Sequence, residues 1–93
     1  MKNGNEYRVC NYTDIWGNAE DGYEVNNQCY EDTGLFLVND IEDQLIIDMM
    51  IELGYLKDTA IAGVNVNVCN MGDRIEIEES DGRPLYGLEM VEE

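Results

Sequence analysis

The feature that most constrains the fold is one stretch with helical periodicity of its apolar residues. Several shorter stretches with a strand-like pattern lie before it and several lie after it. The helical stretch covers residues 40–53, where apolar side chains recur three and four positions apart. Such spacing predicts one helix with a single buried face. The residues predicted on that face are Ile41, Leu45, Ile46, Met49, Met50 and Leu53.

The ends of this predicted helix carry capping signals. Asn39 suits the N-cap position, and Glu42 stands three residues later, as in a capping box. Acidic residues crowd the first turn, where the helix dipole favours negative charge. Gly54 follows the last apolar position and suits a left-handed C-terminal cap. Asp48 and Glu52 are predicted on the solvated side of the helix.

The other patterned stretches indicate strands, because polar and apolar residues alternate along them or β-branched and aromatic residues accumulate. They cover residues 7–16, 23–30, 35–38, 64–68, 74–79 and 85–91. Asp-Gly pairs at residues 21–22 and 81–82 mark turns. Strands in runs joined by short turns favour an antiparallel sheet. We therefore expect one α+β domain over residues 1–93, with a single antiparallel sheet and one helix packed on one face, in the order β-β-β-α-β-β-β.

The charge balance restricts the partners. The chain has 21 acidic residues, five basic residues and no histidine, which gives a formal net charge of −16. A nucleic-acid-binding protein needs a basic surface, and an anionic membrane would repel this chain. We therefore expect no direct contact with nucleic acid or membrane. The natural partner is positively charged, either a basic protein groove or a cation.

The sequence carries no recognisable catalytic or cofactor motif. Without histidine, neither a Ser-His nor a Cys-His pair can form, and the zinc-protease, nucleophile-elbow and phosphate-loop motifs are absent. Among 21 acids some close carboxylate pairs arise by chance, so a glycosidase-like pair has no specific support. The acidic clusters also lack the spacing of an EF-hand calcium loop. We expect no enzymatic activity, no cofactor and no dedicated metal site.

Two sets of acidic residues are candidates for binding a basic partner. The first is Glu20, Asp21 and Glu24, with the neighbouring aromatic residues Trp16 and Tyr23 as candidate anchors. The second set lies on the penultimate predicted strand and its turn. It consists of Glu76, Glu78 and Asp81. Each set projects several carboxylates from a short segment, whereas capping already explains the acids in the first turn of the helix.

The acidity has two interpretations. Acidic side chains keep a small domain soluble, but a net charge of about 2 to 8 is enough for that purpose. Duplex DNA carries one charge per ~1.7 Å, so the sixteen net charges match ~27 Å of duplex. That length is close to the diameter of ~30 Å expected for a domain of this size. The excess charge favours mimicry of a nucleic-acid backbone over plain solvation.

The cysteines bear on the cellular compartment. Cys10, Cys29 and Cys69 are odd in number and contain no CxxC pair, whereas secreted disulfide scaffolds usually have an even number. No apolar run is long enough for a membrane helix, and the N-terminus lacks a signal-peptide pattern. We expect three reduced thiols in a cytoplasmic protein of a bacterial host.

One segment resembles a pattern found in small acidic proteins of phages and mobile elements. In this chain the pattern is Trp16-Gly17-Asn18, two further residues, then Asp21-Gly22-Tyr23-Glu24-Val25-Asn26. The resemblance implies a phage or mobile-element setting and no particular activity. In size, acidity and α+β pattern the chain is also similar in type to anti-CRISPR and anti-restriction proteins that imitate DNA. That second likeness rests on no matched motif, so it carries over no site residue.

The sequence therefore favours an inhibitor of phage or mobile-element origin that occupies a basic nucleic-acid-binding groove of a host defence protein. An RNA-guided CRISPR nuclease is the best single candidate for the partner, because it holds nucleic acid in a positively charged channel. The alternative is an acidic protein–protein interaction module of a phage without mimicry, and a third class is an enzyme with a carboxylate pair. Acids clustered on one face would favour the inhibitor, and an even scatter would favour the module. A buried pair in a cleft would favour the enzyme.

Overall fold

The computed structural model describes residues 3–91, apart from the side chains of residues 27–33. Within that part of the chain the elements are β1 (Gly4–Asn18), β2 (Gly22–Val38), α1 (Asp43–Glu52), β3 (Val66–Asn70), β4 (Arg74–Glu79) and β5 (Pro84–Met90). The strands form one antiparallel sheet in the order β2-β1-β5-β4-β3, and α1 packs on one of its faces. The predicted α+β fold with a single antiparallel sheet is confirmed.

The predicted second and third strands are two consecutive segments of β2. Residues 34–38 pair with residues 4–8, and residues 22–29 pair with residues 10–18. The register shifts between these two ladders, which correspond to the stretches 23–30 and 35–38 that the sequence predicts as separate strands. The predicted order β-β-β-α-β-β-β therefore holds, with its second and third members joined into one long strand.

The hydrophobic core lies between α1 and the face of the sheet that α1 covers. We call this face the helix side and the opposite face the outer side. Every second residue of a strand points to the same face, so each strand contributes alternate side chains to the core. The buried strand residues in the core are Tyr7, Val9, Leu35, Leu37, Val66, Ile75, Ile77 and Leu88.

The helix begins later than the capping pattern predicts. Glu42 is the N-cap residue and makes no side-chain capping bond, so the predicted Asn39 cap and capping box are wrong. Asn39 instead donates its backbone N–H to Asn3 O at 2.7 Å, and Asp40 takes a left-handed conformation with φ 60°. This turn redirects the chain after β2, and only then can the helix start.

The C-terminal end of the helix is as predicted. Gly54 has φ 88°, a left-handed conformation that glycine adopts without steric cost. Its N–H bonds to Ile51 O at 3.0 Å. The next N–H, of Tyr55, bonds to Met50 O at 2.9 Å. These two bonds make the Schellman motif, which satisfies two carbonyl groups at the end of the helix.

The buried face of α1 is rotated relative to the predicted one. The fully buried residues of α1 are Ile46, Ile47 and Met50. Leu45 and Leu53 are each 48% exposed, so their placement in the core is wrong, and the prediction omitted Ile47. Asp48 and Glu52 are exposed as predicted. Apolar residues occupy most of the helix circumference, so periodicity alone does not fix the centre of the buried face.

The first two strands extend well beyond the rest of the sheet. β5 pairs with β1 only over residues 7–11, so among the described strands residues 12–18 and 22–27 pair only with each other. We call this two-stranded ribbon the arm. The molecule measures 43 × 26 × 23 Å, longer than the ~30 Å globule expected from chain length alone.

A β-bulge at the base of the arm determines which way its side chains point. The register between β1 and β2 shifts between Tyr12 and Asp14, which leaves Thr13 as an extra residue in β1. A one-residue shift exchanges the two faces of a strand. By register, Asp14 and Trp16 therefore continue the helix side, although uninterrupted alternation from Tyr12 would place them on the outer side.

The cysteines differ from the prediction of three reduced thiols. Cys10 is disulfide-bonded, so that prediction is wrong for Cys10, whereas Cys69 is a free thiol as predicted. Cys10 and Cys29 are partners in the backbone register of β1 and β2, and the side chain of Cys29 lies outside the described residues. An odd number of cysteines excludes complete pairing but still permits one pair.

Candidate binding surface on the arm

The tip of the arm is a short turn that holds Glu20 and Asp21 in solvent. The turn spans residues 19–21, between the paired residues Asn18 and Gly22. Asn18 Oδ1 accepts hydrogen bonds from the backbone N–H of Glu20 at 2.9 Å and of Asp21 at 2.7 Å. Gly22 completes the turn with φ 94°. Because these bonds fix the turn locally, both carboxylates project from a defined backbone.

Trp16 and Glu24 form a cross-strand pair beside this tip. The indole Nε1 of Trp16 donates a hydrogen bond to Glu24 Oε2 at 2.8 Å, and Trp16 is 47% exposed. The next pair along the same face is Asp14 and Asn26, whose amide donates to Asp14 Oδ2 at 3.3 Å. An exposed indole with its polar edge already fixed loses little conformational entropy when a partner covers its ring.

Tyr23 lies on the other face of the arm. It stands opposite Gly17 in the register and shares the outer side with Ile15 and Val25. All three side chains are half-buried. The structure therefore separates the two predicted aromatic anchors, because Trp16 lies on the helix side with Glu24 and Tyr23 does not.

The arm carries only negative charge. Its carboxylates are those of Asp14, Glu20, Asp21 and Glu24, all of them exposed. No lysine or arginine occurs between Arg8 and Lys57, so the arm contains no cation to neutralise them. The sequence prediction used the total charge and missed this long gap in the basic residues, which is the sequence signal for an unneutralised acidic arm.

The second predicted set is largely committed to contacts within the protein. Glu76 forms an ion pair with Arg74, in which Nε and Oε1 are 2.5 Å apart. Its other oxygen accepts a hydrogen bond from the Tyr12 hydroxyl at 2.5 Å. Arg74 also pairs with Glu89, with 3.2 Å between Nη1 and Oε1. Because an arginine already neutralises Glu76, this carboxylate is a poor candidate for direct partner binding.

The other two members of that set also have internal partners. Glu78 Oε1 accepts a hydrogen bond from the Cys69 thiol at 3.0 Å, and this bond, with burial, raises the pKa of Cys69. Asp81 is exposed in the β4–β5 turn, where its Oδ1 accepts the Arg83 N–H at 3.0 Å. Gly82 has φ 94° in the same turn, which confirms the predicted hairpin. The two predicted sets do not meet, since β5 lies between β1 and β4.

On the outer side, near the base of the arm, the Tyr12 hydroxyl bonds to Glu76 and Arg74. Burial and the hydrogen bond to Glu76 raise the pKa of Tyr12 to about 12. Gly87 of β5 lies directly beneath this contact, because a Cβ at that position would be 2.8 Å from the Tyr12 oxygen. The outer side is therefore occupied by an internal polar network at this point, and the helix side of the arm is the more accessible face.

In the part of the chain that the structure describes, no charged residue is buried, and no group of three or more histidine, cysteine, aspartate or glutamate side chains is arranged to hold a metal ion. No helix in those residues has the length and apolar character needed to cross a lipid bilayer.

Comparison with known proteins yields no relative. No family model, no curated protein and no solved structure matches this chain.

Proposed function

We propose that this protein binds a basic, nucleic-acid-binding groove of another protein and that the arm enters the groove. The observation that carries the proposal is a ribbon that projects beyond the sheet and bears only negative charge. Exposed charges attract an opposite charge over about 8–10 Å at ordinary salt concentrations. A groove that binds DNA or RNA supplies such opposite charge, and the arm would compete with nucleic acid for it.

Trp16 adds affinity to this attraction. Charge complementarity mainly accelerates association and excludes wrong partners, whereas buried aromatic side chains supply most of the affinity in many interfaces. Trp16 lies directly opposite Glu24 and two residues after Asp14, on the same face of the arm. The helix side of the arm thus combines a hydrophobic anchor with flanking negative charge, which suits a groove lined with arginine or lysine side chains.

The dimensions favour mimicry by the arm over mimicry by the whole molecule. Dividing the 43 Å long axis by the sixteen net charges gives roughly 2.7 Å per charge, against ~1.7 Å per charge for duplex DNA. The average density is therefore lower than that of a duplex. The ion pair between Glu76 and Arg74 neutralises one carboxylate of the second set, whereas the carboxylates of the arm lie on a segment without any basic residue.

The biological setting belongs to the same proposal. An acidic protein of this kind fits an inhibitor, of phage or mobile-element origin, that blocks a host defence protein. An RNA-guided CRISPR nuclease is one candidate partner, because its nucleic-acid channel is positively charged. The acidity of the arm supports a basic nucleic-acid-binding protein as the class of partner.

The outer side of the arm supports a second candidate function. Ile15, Tyr23 and Val25 form a half-buried apolar row there. A partner that packs against this row would need apolar contact and no nucleic-acid-binding groove. That observation favours an acidic interaction module without mimicry.

Competition with nucleic acid separates the two functions. The immobilised protein is exposed to a bacterial lysate at low salt, and each captured protein is purified and bound again with and without duplex DNA or RNA. The proposal predicts a partner that is released by added nucleic acid and by high salt. A partner that binds equally well at high salt and together with its nucleic acid would contradict mimicry and favour the interaction module.

A further inference from the structure

A cavity lies on the helix side at the base of the arm. Its volume is about 480 Å³, and Tyr55, Tyr86, Leu85, Lys57, Asn65 and Glu79 are among the residues that line it. Tyr86 pairs with Asn11, the residue directly before the arm begins. Trp16 is five residues further along β1, roughly 17 Å away at ~3.3 Å per residue. One partner surface of ordinary size can therefore span the cavity and the arm.

Two tyrosines form an aromatic wall of this cavity. The ring centroids of Tyr55 and Tyr86 are 5.3 Å apart, and the rings meet edge to face at 70°. Both residues are half-buried and pack against the core, so their rings are held in place. A fixed aromatic ring with one accessible face attracts a cation through its quadrupole.

The polar part of the cavity contains the carboxylate of Glu79. Glu79 is exposed, and among the described residues its carboxylate makes no hydrogen bond or ion pair. Asn65 is already committed, because its amide bonds to Thr59 O at 3.0 Å and its Oδ1 accepts the Ile61 N–H at 2.7 Å. Glu79 is thus the anionic group that a ligand can reach.

We propose that this cavity receives an arginine side chain of the basic partner. The guanidinium group is planar, stacks on aromatic rings and pairs with a carboxylate through two parallel hydrogen bonds, which matches the tyrosine wall and Glu79. The net charge of −16 disfavours an anionic ligand at the same place. The inference rests on the proposed function for the identity of the partner, whereas the arginine site itself can be tested alone.

Lys57 provides a second test of the arginine site, with an expected effect opposite to that of Glu79. Lys57 lines the same cavity and is exposed, so its ammonium group repels a bound guanidinium. Removing the Glu79 charge should weaken arginine binding, and removing the Lys57 charge should strengthen it. An anionic or zwitterionic ligand would not give this pair of effects.

Titration with blocked amino acids tests the site directly. N-acetylarginine amide, N-acetyllysine amide and the neutral isostere N-acetylcitrulline amide are added while NMR signals of Tyr55, Tyr86 and the Ser80 amide are followed. We expect saturable shifts with the arginine derivative, weaker shifts with lysine and none with citrulline. Equal shifts with arginine and citrulline, or shifts that map to the arm alone, would overturn the inference.

Charge variants complete the test. Glu79→Gln should lower the affinity for the arginine derivative about fivefold, because a charged hydrogen-bond acceptor is lost, and Lys57→Gln should raise it about twofold. Glu42→Gln, which removes the same charge at the far end of the helix, is the matched control and should have little effect. The inference fails if Glu79→Gln behaves like this control. If the arm still captures a partner that nucleic acid displaces, only the inference about the cavity fails and the proposed function stands. If the cavity binds arginine but no such partner exists, only the proposed function fails.

Discussion

The Tyr12 hydroxyl donates a hydrogen bond to Glu76 Oε2 at 2.5 Å, although β5 lies between the strands of the two residues. The contact passes above Gly87 of β5, the one position between them where the absence of a side chain leaves room. Arg74 joins the same group, because its Nη2 donates to the Tyr12 oxygen at 3.0 Å. A glycine inside a strand thus marks a close approach across the sheet.

Replacing this glycine should open the network. In Gly87→Ala the new Cβ would lie 2.5 Å from Arg74 Nη2 and 2.8 Å from the Tyr12 oxygen, so both side-chain ends have to move. We expect a loss of about 1–2 kcal/mol in the free energy of unfolding, because hydrogen bonds to charged groups are broken. Urea denaturation of the two proteins measures the loss. An unchanged midpoint would mean that the network does not stabilise the fold.

The same contact predicts a loss of stability at high pH. The pKa of Tyr12 is raised to about 12 in the folded protein from a usual value of 10.0. As the pH rises, the hydroxyl of Tyr12 therefore loses its proton in the unfolded chain before it does so in the folded protein. The contribution of Tyr12 to the free energy of unfolding is complete below pH 10 and is lost as the pH rises towards 12. The difference in unfolding free energy between the wild type and Tyr12→Phe should shrink across that range. A difference that stays constant would contradict the assignment of the raised pKa to Tyr12.

The rotated face of α1 predicts unequal effects for two apolar residues of the helix. Met50 is fully buried and Leu45 is 48% exposed. Met50→Ala should reduce stability by about 2–4 kcal/mol through a cavity in the core, and Leu45→Ala should cost less than ~1 kcal/mol. Thermal denaturation of both variants is the measurement. Similar losses for the two would show that the buried face is centred elsewhere.

The cysteine chemistry predicts a thiol count. A disulfide at Cys10 uses two of the three cysteines, and Cys10 is fully buried, so the bond is within the chain. We expect one reactive thiol in the denatured, unreduced protein, contributed by Cys69, and three after reduction. Three thiols before reduction would contradict the disulfide at Cys10 and support the sequence prediction of three reduced cysteines.

Local sequence signals predicted the parts of the fold that depend on neighbouring residues. The Asp-Gly turn at residues 81–82 and the Gly54 cap required only a left-handed glycine at a defined position, and both are present. The start of α1 was not predictable in this way, because Asn39 bonds to Asn3 across the fold. The burial of Ile47 was not predictable either. The helix is apolar on most sides, and packing against the sheet determines which side is buried.

The candidate site was predicted only in part, for the same reason. Glu20, Asp21 and Glu24 lie at or beside the Asp-Gly turn signal and are exposed on the arm. The internal contacts of Glu76 were not predictable from the sequence, because its partners Arg74 and Tyr12 include a residue that lies 64 positions away. The separation of Trp16 from Tyr23 depends on the bulge at Thr13, and no residue type near Thr13 signals a bulge.

The central claim is that the arm is the binding element, and two matched charge variants test it most directly. The arm variant combines Glu20→Gln, Asp21→Asn and Glu24→Gln, and the control combines Asp40→Asn, Glu42→Gln and Asp73→Asn, three exposed acids at the opposite end of the sheet. Both lose three negative charges, and both should fold at least as stably as the wild type, since self-repulsion falls.

The measurement is the affinity of each variant for the partner that nucleic acid displaces. Removing three interfacial charges should weaken binding about tenfold or more, at up to ~1 kcal/mol per exposed charge, and the control should lose no more than about threefold through the reduced net charge. This difference should vanish at high salt, where exposed charges are screened. Equal losses for the two variants at low salt would contradict the account, because net charge rather than the arm would then govern binding.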